Sequence, residues 1–485
     1  MKDKKKFRIF IFSIIIFMCI MITKKVFQND TFYTIKLGEL VLNNGIDMLD
    51  HYSFHTLMYT YPHWLYDVFI FLIYKAFSYT GVYISTIILF IILMGLIYYT
   101  NTKMFKKEVI VGFITIVSIL AMSNFVTARA QLVSYILFVL EFYFIEMFLK
   151  TGSKKYGIFL LLISLILCNI HVAVWPFYFI LFLPFIAEYI IAKLFKKKSI
   201  LFGRIDIEKN NNVKYLLLIM LLSTLTGLLT PIGDTPYTYL YKTMIGNSQS
   251  YIQEHQATGI FGIIYLVIFG IEYIFLTILS KTKLRYLFLS LGLALMSISS
   301  ERHVALFVIL FAPCFINTFN NFLDVAKLES DKLIKTFTKK IVVGITITLL
   351  SIGTIVTIYI NKDVEYFDNN EYPIKAADYI VENLDYKNIR LFNEYNYGSY
   401  LLYRDIPVFI DSRADLYTKQ FSGLEYDIFD DYMKHTSKYN EIVEFYDITH
   451  VMFKKDNSTH TFFLYSDNYK KLYEDETFIL FEKMN

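Results

Sequence analysis

The chain has 485 residues, 55% of them apolar and 18% aromatic, with only 19% charged. Its mean hydropathy of +0.45 sets it apart from average soluble proteins, where charged residues alone approach ~25%. The 46 Phe and 40 Tyr against 19 Gly and 8 Pro exclude disordered, collagenous and Gly/Ser-linker chains and leave a polytopic membrane protein. Net charge is +4 overall, but residues 361–485 carry 24 acidic against 14 basic side chains, so the tail is acidic and the remainder strongly basic.

A spanning helix needs roughly 17 to 25 mostly apolar residues. Runs that qualify or nearly do occupy 7–23, 82–100, 108–125, 131–149, 156–170, 174–192, 214–230, 259–280, 284–300, 303–320 and 341–360. They predict a bundle of about eleven transmembrane helices; 64–79 is an additional amphipathic stretch too polar to count. Lysine and arginine clusters at Lys2 to Lys6, Lys103 to Lys107, Lys154 to Lys155, Lys193 to Lys198, Lys281 to Arg285 and Lys339 to Lys340 alternate in register with these runs. Positive residues near span ends stay cytoplasmic, so the N-terminus is expected inside and the C-terminal region outside a plasma membrane. Thr23-Lys24-Lys25-Val26 offers no small-residue cleavage site, and the first run is expected to be a retained anchor. The outer face then comprises loop 24–81, residues 126–130, 171–173, 231–258 and 301–302, and the tail. Cys19, Cys168 and Cys314 lie in apolar runs and supply neither a disulfide framework nor a CxxC metal site.

Two domains follow from this pattern: a transmembrane domain over 1–360 and an extracytoplasmic small α/β domain over 361–485. In the tail Ile374 to Asn383 is amphipathic and follows a Tyr-Pro pair suited to a helix start. Ile389 to Phe392, Val408 to Ile410, Thr449 to Phe453 and Phe478 to Phe481 read as strands.

Ionisable residues gather in the outer loops. Asp30, Asp50 and His63 lie in the first; a carboxylate there suits a general base for a hydroxyl acceptor, or a ligand to a divalent cation bridging a phosphate. Helix caps and turns use the same residues. Arg129, His171 and Arg302 stand at span ends, and an arginine fork suits phosphate, although arginines also snorkel at membrane surfaces. Glu254 and His255 follow the breaker-rich segment after Thr230. Glu146 and Glu188 sit toward cytoplasmic span ends and are expected among headgroups, whereas Glu141 and Glu272 lie deeper and need a partner or a polar cavity. Asn393, Asp411, Arg413 and Asp415 each follow a tail strand, where open α/β sheets bind ligands; an Asp/Arg network fixing the turn is the alternative. No P-loop, GxGxxG, HExxH or GxSxG motif occurs.

The first loop matches D-x-W-W-H-L-x-x-G-E-x-I-L-x-x-G, T-D-P-F-S and H-E-W-L through Asp30, Gly38, Glu39, Leu42, Gly45, Asp50, Ser53, His63 and Leu65. Further matches are Arg129, Gln131 to Tyr135, Asn169, His171, Pro231, Gln256 and Arg302. In the tail, F-N-x-x-x-x-G-x-Y-L begins at Phe392 and V-F-I-D-x-R-A-D-L-Y at Val408. In these features the chain resembles a bacterial family of multi-span proteins akin to GT-C glycosyltransferases, the group of protein O-mannosyltransferases and aminoarabinose transferases. It departs from that pattern where W-W-H is replaced by Phe32-Tyr33-Thr34 and H-E-W-L by His63-Trp64-Leu65.

The resemblance implies a membrane glycosyltransferase of the cell envelope that takes a sugar from a polyprenyl-phosphate lipid donor. The acceptor would be an extracytoplasmic glycan, lipid or protein; nucleic acid is not an expected partner. Asp30 would be the acid of the first loop, with Arg302 or Arg129 stabilising the leaving phosphate. No metal ligands are assigned, a divalent cation at the phosphate being the one cofactor the chemistry admits. Two other readings use the same outer face: a non-enzymatic lipid-linked glycan transporter or assembly protein, and a glycan polymerase or ligase with a pyrophosphate-linked donor.

Overall fold

The computed structural model describes residues 2–195, 198–246, 251–252, 255–328, 330–456 and 459–484. The chain is mainly helical and divides into two compact units, one comprising 1–24, 83–230 and 253–364, the other 25–82, 231–252 and 365–485. The second is discontinuous in sequence, joining the acidic tail to the first loop and to a short segment after Thr230.

In the first unit the apolar runs are largely helical, the state in which an apolar segment satisfies its own backbone hydrogen bonds. The helices are Lys2–Ile22, the later part of Trp64–Met104, Glu108–Ala121, Ala130–Thr151, Lys154–Ile170, Trp175–Phe195, Val213–Thr224, Ile260–Leu279, Leu284–Ser299, Val304–Val325 and Lys340–Asn361. Among the described residues six helical segments are long and apolar enough to cross a membrane: Trp64–Met104, Ala130–Thr151, Val172–Phe195, Gly262–Leu279, Glu301–Val325 and Lys340–Asn361. Glu108–Ala121, Val213–Leu228 and Leu284–Ser299 are apolar but shorter. The amphipathic stretch 64–79 is continuous with the run that follows it, in one helix broken at Ser78, where φ is 54°.

Phe138, Phe142, Phe182, Phe185, Tyr286 and Leu310 are buried in the core of this unit. A three-stranded sheet caps one part of it, with β1 (Ser199–Ile200) antiparallel to β2 (Ile205–Asp206) and β2 parallel to β3 (Thr282–Lys283). Directly after β3, Arg285 collects three carboxylates: Nε bonds Glu146 Oε1 at 2.7 Å, and Nη1 bonds Glu188 Oε2 at 2.7 Å and Glu208 Oε2 at 2.9 Å. Glu146 and Glu188 therefore do not reach out to headgroups as expected; both are buried and spend their charge on Arg285. Glu141 is fully buried, and neither of its oxygens has a hydrogen-bond partner among the described residues.

In the second unit, the tail helix Ile374–Asn383 falls where its amphipathic pattern places it. The four-stranded sheet runs β4 (Leu391–Phe392), β5 (His450–Lys454), β7 (Phe478–Lys483), β6 (Tyr469–Glu474), with β4 parallel to β5 and the other pairs antiparallel. Val408 to Ile410, expected as a strand, forms only single-residue bridges from Val408 to Leu391 and to Ser53. Asn393 is the reason: its Oδ1 accepts from Phe409 N at 2.9 Å and its Nδ2 donates to Ile410 O at 2.7 Å, so a side chain occupies the groups a ladder would use.

Phe32 of the helix Asp30–Asn44 packs edge-on against Tyr372 and Tyr400, and Phe392, Phe409 and Phe453 form the centre of the sheet side. Gly398, in the helix Tyr395–Tyr403, lies so close to the 408–411 segment that a Cβ would stand 2.0 Å from Ile410 O and 2.8 Å from Asp411 Cα. Both atoms are backbone and cannot rotate away, so G398A should destabilise this unit by about 1–3 kcal/mol or more. Thermal unfolding of the detergent-solubilised chain, followed by near-ultraviolet circular dichroism, measures it; an unchanged midpoint would contradict the packing described.

Candidate functional site

Among the described residues of the second unit, two clusters of ionisable side chains are largely buried. The first centres on Arg413, which forks onto Asp411 through Nε to Oδ1 at 2.9 Å and Nη2 to Oδ2 at 2.7 Å. Its Nη1 donates to Asp50 Oδ1 at 2.6 Å. The other Asp50 oxygen accepts from Ser53 N at 2.8 Å and Ser53 Oγ at 2.5 Å, and Tyr417 OH donates to Asp411 Oδ2 at 2.5 Å. The guanidinium lies 5.0 Å from the centre of the Tyr59 ring, a cation–π contact. Both carboxylate side chains are wholly enclosed. Burial pushes the Asp50 carboxyl up, but the charge of Arg413 and the two bonds from Ser53 outweigh it and hold the group below its usual range.

Each nitrogen of the Arg413 guanidinium is thus bonded to a carboxylate of the chain itself, the Asp/Arg network that is the alternative to a ligand crevice. It fixes Asp50, and with it the loop between Gly45 and His63, to the tail. Of the other tail residues singled out by sequence, Asn393 clasps the backbone of 409–410, and Asp415 Oδ2 accepts from Tyr239 OH at 2.6 Å.

The second cluster lies where the helix Asp30–Asn44 meets the start of Trp64–Met104. Gly38 permits the approach, since a Cβ there would stand 2.1 Å from Asp67 O. Tyr33 OH lies 3.2 Å from His63 Nε2, and His63 Nδ1 lies 2.7 Å from Asp67 Oδ1. A carboxylate accepts only, so Nδ1 donates to Asp67 and Nε2 faces Tyr33 as an acceptor. Asp67 is fully enclosed while His63 retains some exposure. Asp30 occupies the first turn of the same helix, three residues before Tyr33, and is itself largely buried. Residues three apart share a helix face, so Asp30 and the Tyr33–His63–Asp67 chain present two proton-accepting groups on neighbouring turns. Asp67 and Tyr33 were not picked out from sequence; the signal for Asp67 was its i,i+4 spacing from His63.

In the first unit, Arg302 Nη1 donates to His255 Nε2 at 2.6 Å, which requires a neutral imidazole there. Glu301 N bonds Gln256 O at 3.0 Å, zipping the segment after 255 onto the turn at 301. His171 Nδ1 pairs with Ser134 Oγ at 2.9 Å, and Arg129 is the N-cap of the helix Ala130–Thr151. Glu254 lies outside the described residues. No group of three or more His, Cys, Asp or Glu placed to hold a metal occurs among the described residues. Neither a protein-family model nor a curated protein sequence matches this chain.

Close to the Arg413 knot, His55 sits among Phe54, Phe409, Tyr417 and Tyr446 and bonds Phe409 O through Nε2 at 3.0 Å. Burial lowers its pKa to about 4, against the raising effect of that carbonyl. The unfolded chain, near the ordinary ~6.5, binds the proton first. The stabilisation is therefore complete above about pH 6.5 and is lost as pH falls toward 4, a loss on the order of 3 kcal/mol. Asp50 acts in the same direction at lower pH. The unfolding midpoint of the intact chain should fall between pH 7.5 and 5, and H55Q should flatten that dependence; an equal slope in both proteins would contradict it.

Proposed function

We propose that the chain is a multi-pass membrane glycosyltransferase of the GT-C kind, moving a sugar from a polyprenyl-phosphate donor to an extracytoplasmic glycan, lipid or protein hydroxyl. The observation that carries this reading is that Asp30 and Tyr33 stand three residues apart on a helix that begins eight residues after the first apolar helix ends at Ile22, with Tyr33 bonded to His63 and His63 to Asp67. Acid–base groups so near a span end suit a substrate whose reacting carbon sits at a lipid headgroup. In support, the helices follow the apolar runs from which about eleven spans were read, and with the N-terminus inside, loop 24–81 and the tail are external.

In this reading Asp30 takes the proton of the acceptor hydroxyl as its oxygen bonds to the anomeric carbon, and the carbon–oxygen bond to the lipid phosphate breaks. His63, oriented by Asp67, supplies a second proton acceptor through Tyr33. Arg302 or Arg129, each at a helix start, is the guanidinium that this reading assigns to the departing phosphate. Asp50 and Arg413 do not touch substrate; they hold the loop.

The test is release of labelled product from a radiolabelled polyprenyl-phosphate sugar by the reconstituted protein. D30N should lower the rate by roughly 100-fold or more, and D67N should lower it while His63 stays in place, both at unchanged expression. Full turnover in D30N would remove Asp30 as base. Movement of the lipid across the vesicle with no transfer would favour the transporter instead.

A further inference from the structure

The helix Thr235–Ile245 of the second unit has two faces of opposite use. One turns inward: Thr235, Pro236 and Tyr239 are buried, and the Tyr239 ring meets Phe421 at 5.0 Å. The other carries Tyr237, Leu240, Tyr241, Met244 and Ile245, at i, i+3, i+4, i+7 and i+8. That is the stripe an amphipathic helix of a globular protein puts into its core. Here it is outermost, with Tyr241 66% and Met244 68% exposed.

We propose that this helix lies in the headgroup–acyl boundary of the bilayer, with Leu240, Tyr241, Met244 and Ile245 as its inserted face. Chain length argues for lipid as the occupant. Six residues, 229–234, separate the end of the apolar stretch Val213–Leu228 from Thr235, and the seven extended steps between them reach about 25 Å. The helix therefore starts within that distance of the membrane face at which the stretch emerges.

Composition argues the same way. The segment TPYTYLYKTMI holds no acidic residue and one lysine, so it meets anionic headgroups without repulsion. Lys242 folds back over the Phe421 ring at 5.7 Å, leaving the apolar face uncharged. Tyrosines are the side chains that membrane interfaces favour, with an apolar ring and a polar tip. An inserted helix would also tie the Arg413 segment to the membrane surface, since Tyr239 holds Asp415 from the opposite face.

The inference rests on the membrane reading of the chain, and the test separates the two. Full-length protein is placed in phospholipid nanodiscs with and without brominated acyl chains, which quench nearby tryptophan. All proteins carry W64F, so the remaining native tryptophan is Trp175 within the apolar segment Val172–Phe195, and quenching of the emission of the W64F parent reports embedding by itself. In Y241W the added emission should be blue-shifted and largely lost in brominated discs. In Y465W, at a site 90% exposed in the tail, it should be retained. M244W repeats the measurement should Y241W fold poorly. Quenching of Y241W and M244W no stronger than that of Y465W, with the W64F parent still quenched, would overturn the proposal. So would a blue shift that appears only as protein concentration rises, which would assign the face to a second copy.

Discussion

The joining of the first loop to the tail depends on the burial of one arginine between Asp411, two residues away, and Asp50, 363 residues away. Arg413 is enclosed together with Asp411 and Asp50, and the charges sit where water cannot screen them. Removing one partner from such a pair strands the other in low dielectric, at a cost of about 3–5 kcal/mol. Buried ion pairs are weak sources of net stability but strong selectors of arrangement. Here the selected arrangement brings the loop after the first helix onto the tail. Val408 reinforces it, its N donating to Tyr52 O at 3.1 Å and its O accepting from Phe54 N at 3.3 Å.

That constraint also bears on the proposed chemistry. Asp30 and His63 flank the segment that Asp50 fixes, and the approach of their two helices is set separately by the missing side chain at Gly38. Two independent devices, one electrostatic and one steric, thus hold the proton-accepting groups. Asp67 within bonding distance of Nδ1 is what selects the His63 tautomer. The aromatic packing of Phe32 against Tyr372 and Tyr400 adds a third contact between the same helix and the tail.

The helices were legible because a long apolar run has few options: as a helix it satisfies its own backbone. Partners were less legible. Glu146 and Glu188 read as headgroup-seeking because Arg285 is 139 and 97 residues away, and nothing in a local window announces that pairing. In the tail, Val408 to Ile410 has the composition of a strand, yet Asn393 supplies the hydrogen bonds a neighbouring strand would have given. Strand β6 went unread because Tyr469 to Glu474 places two lysines together at the sheet's margin, a pattern of protected edges rather than of alternating cores. Of the site, the residue types in the first loop were visible, but Asp67 was hidden in a stretch whose polarity argued against a span. It is polar there because it serves His63.

The most direct test of this account is a double-mutant cycle between Asp50 and Arg413 in the full-length protein, using D50N, R413M and the pair, read as unfolding of the extramembrane unit. The account predicts strong non-additivity, with the pair less destabilised than the sum of the singles by roughly 1–3 kcal/mol. Additivity within about 0.5 kcal/mol would mean that the loop and tail are not held by this interaction.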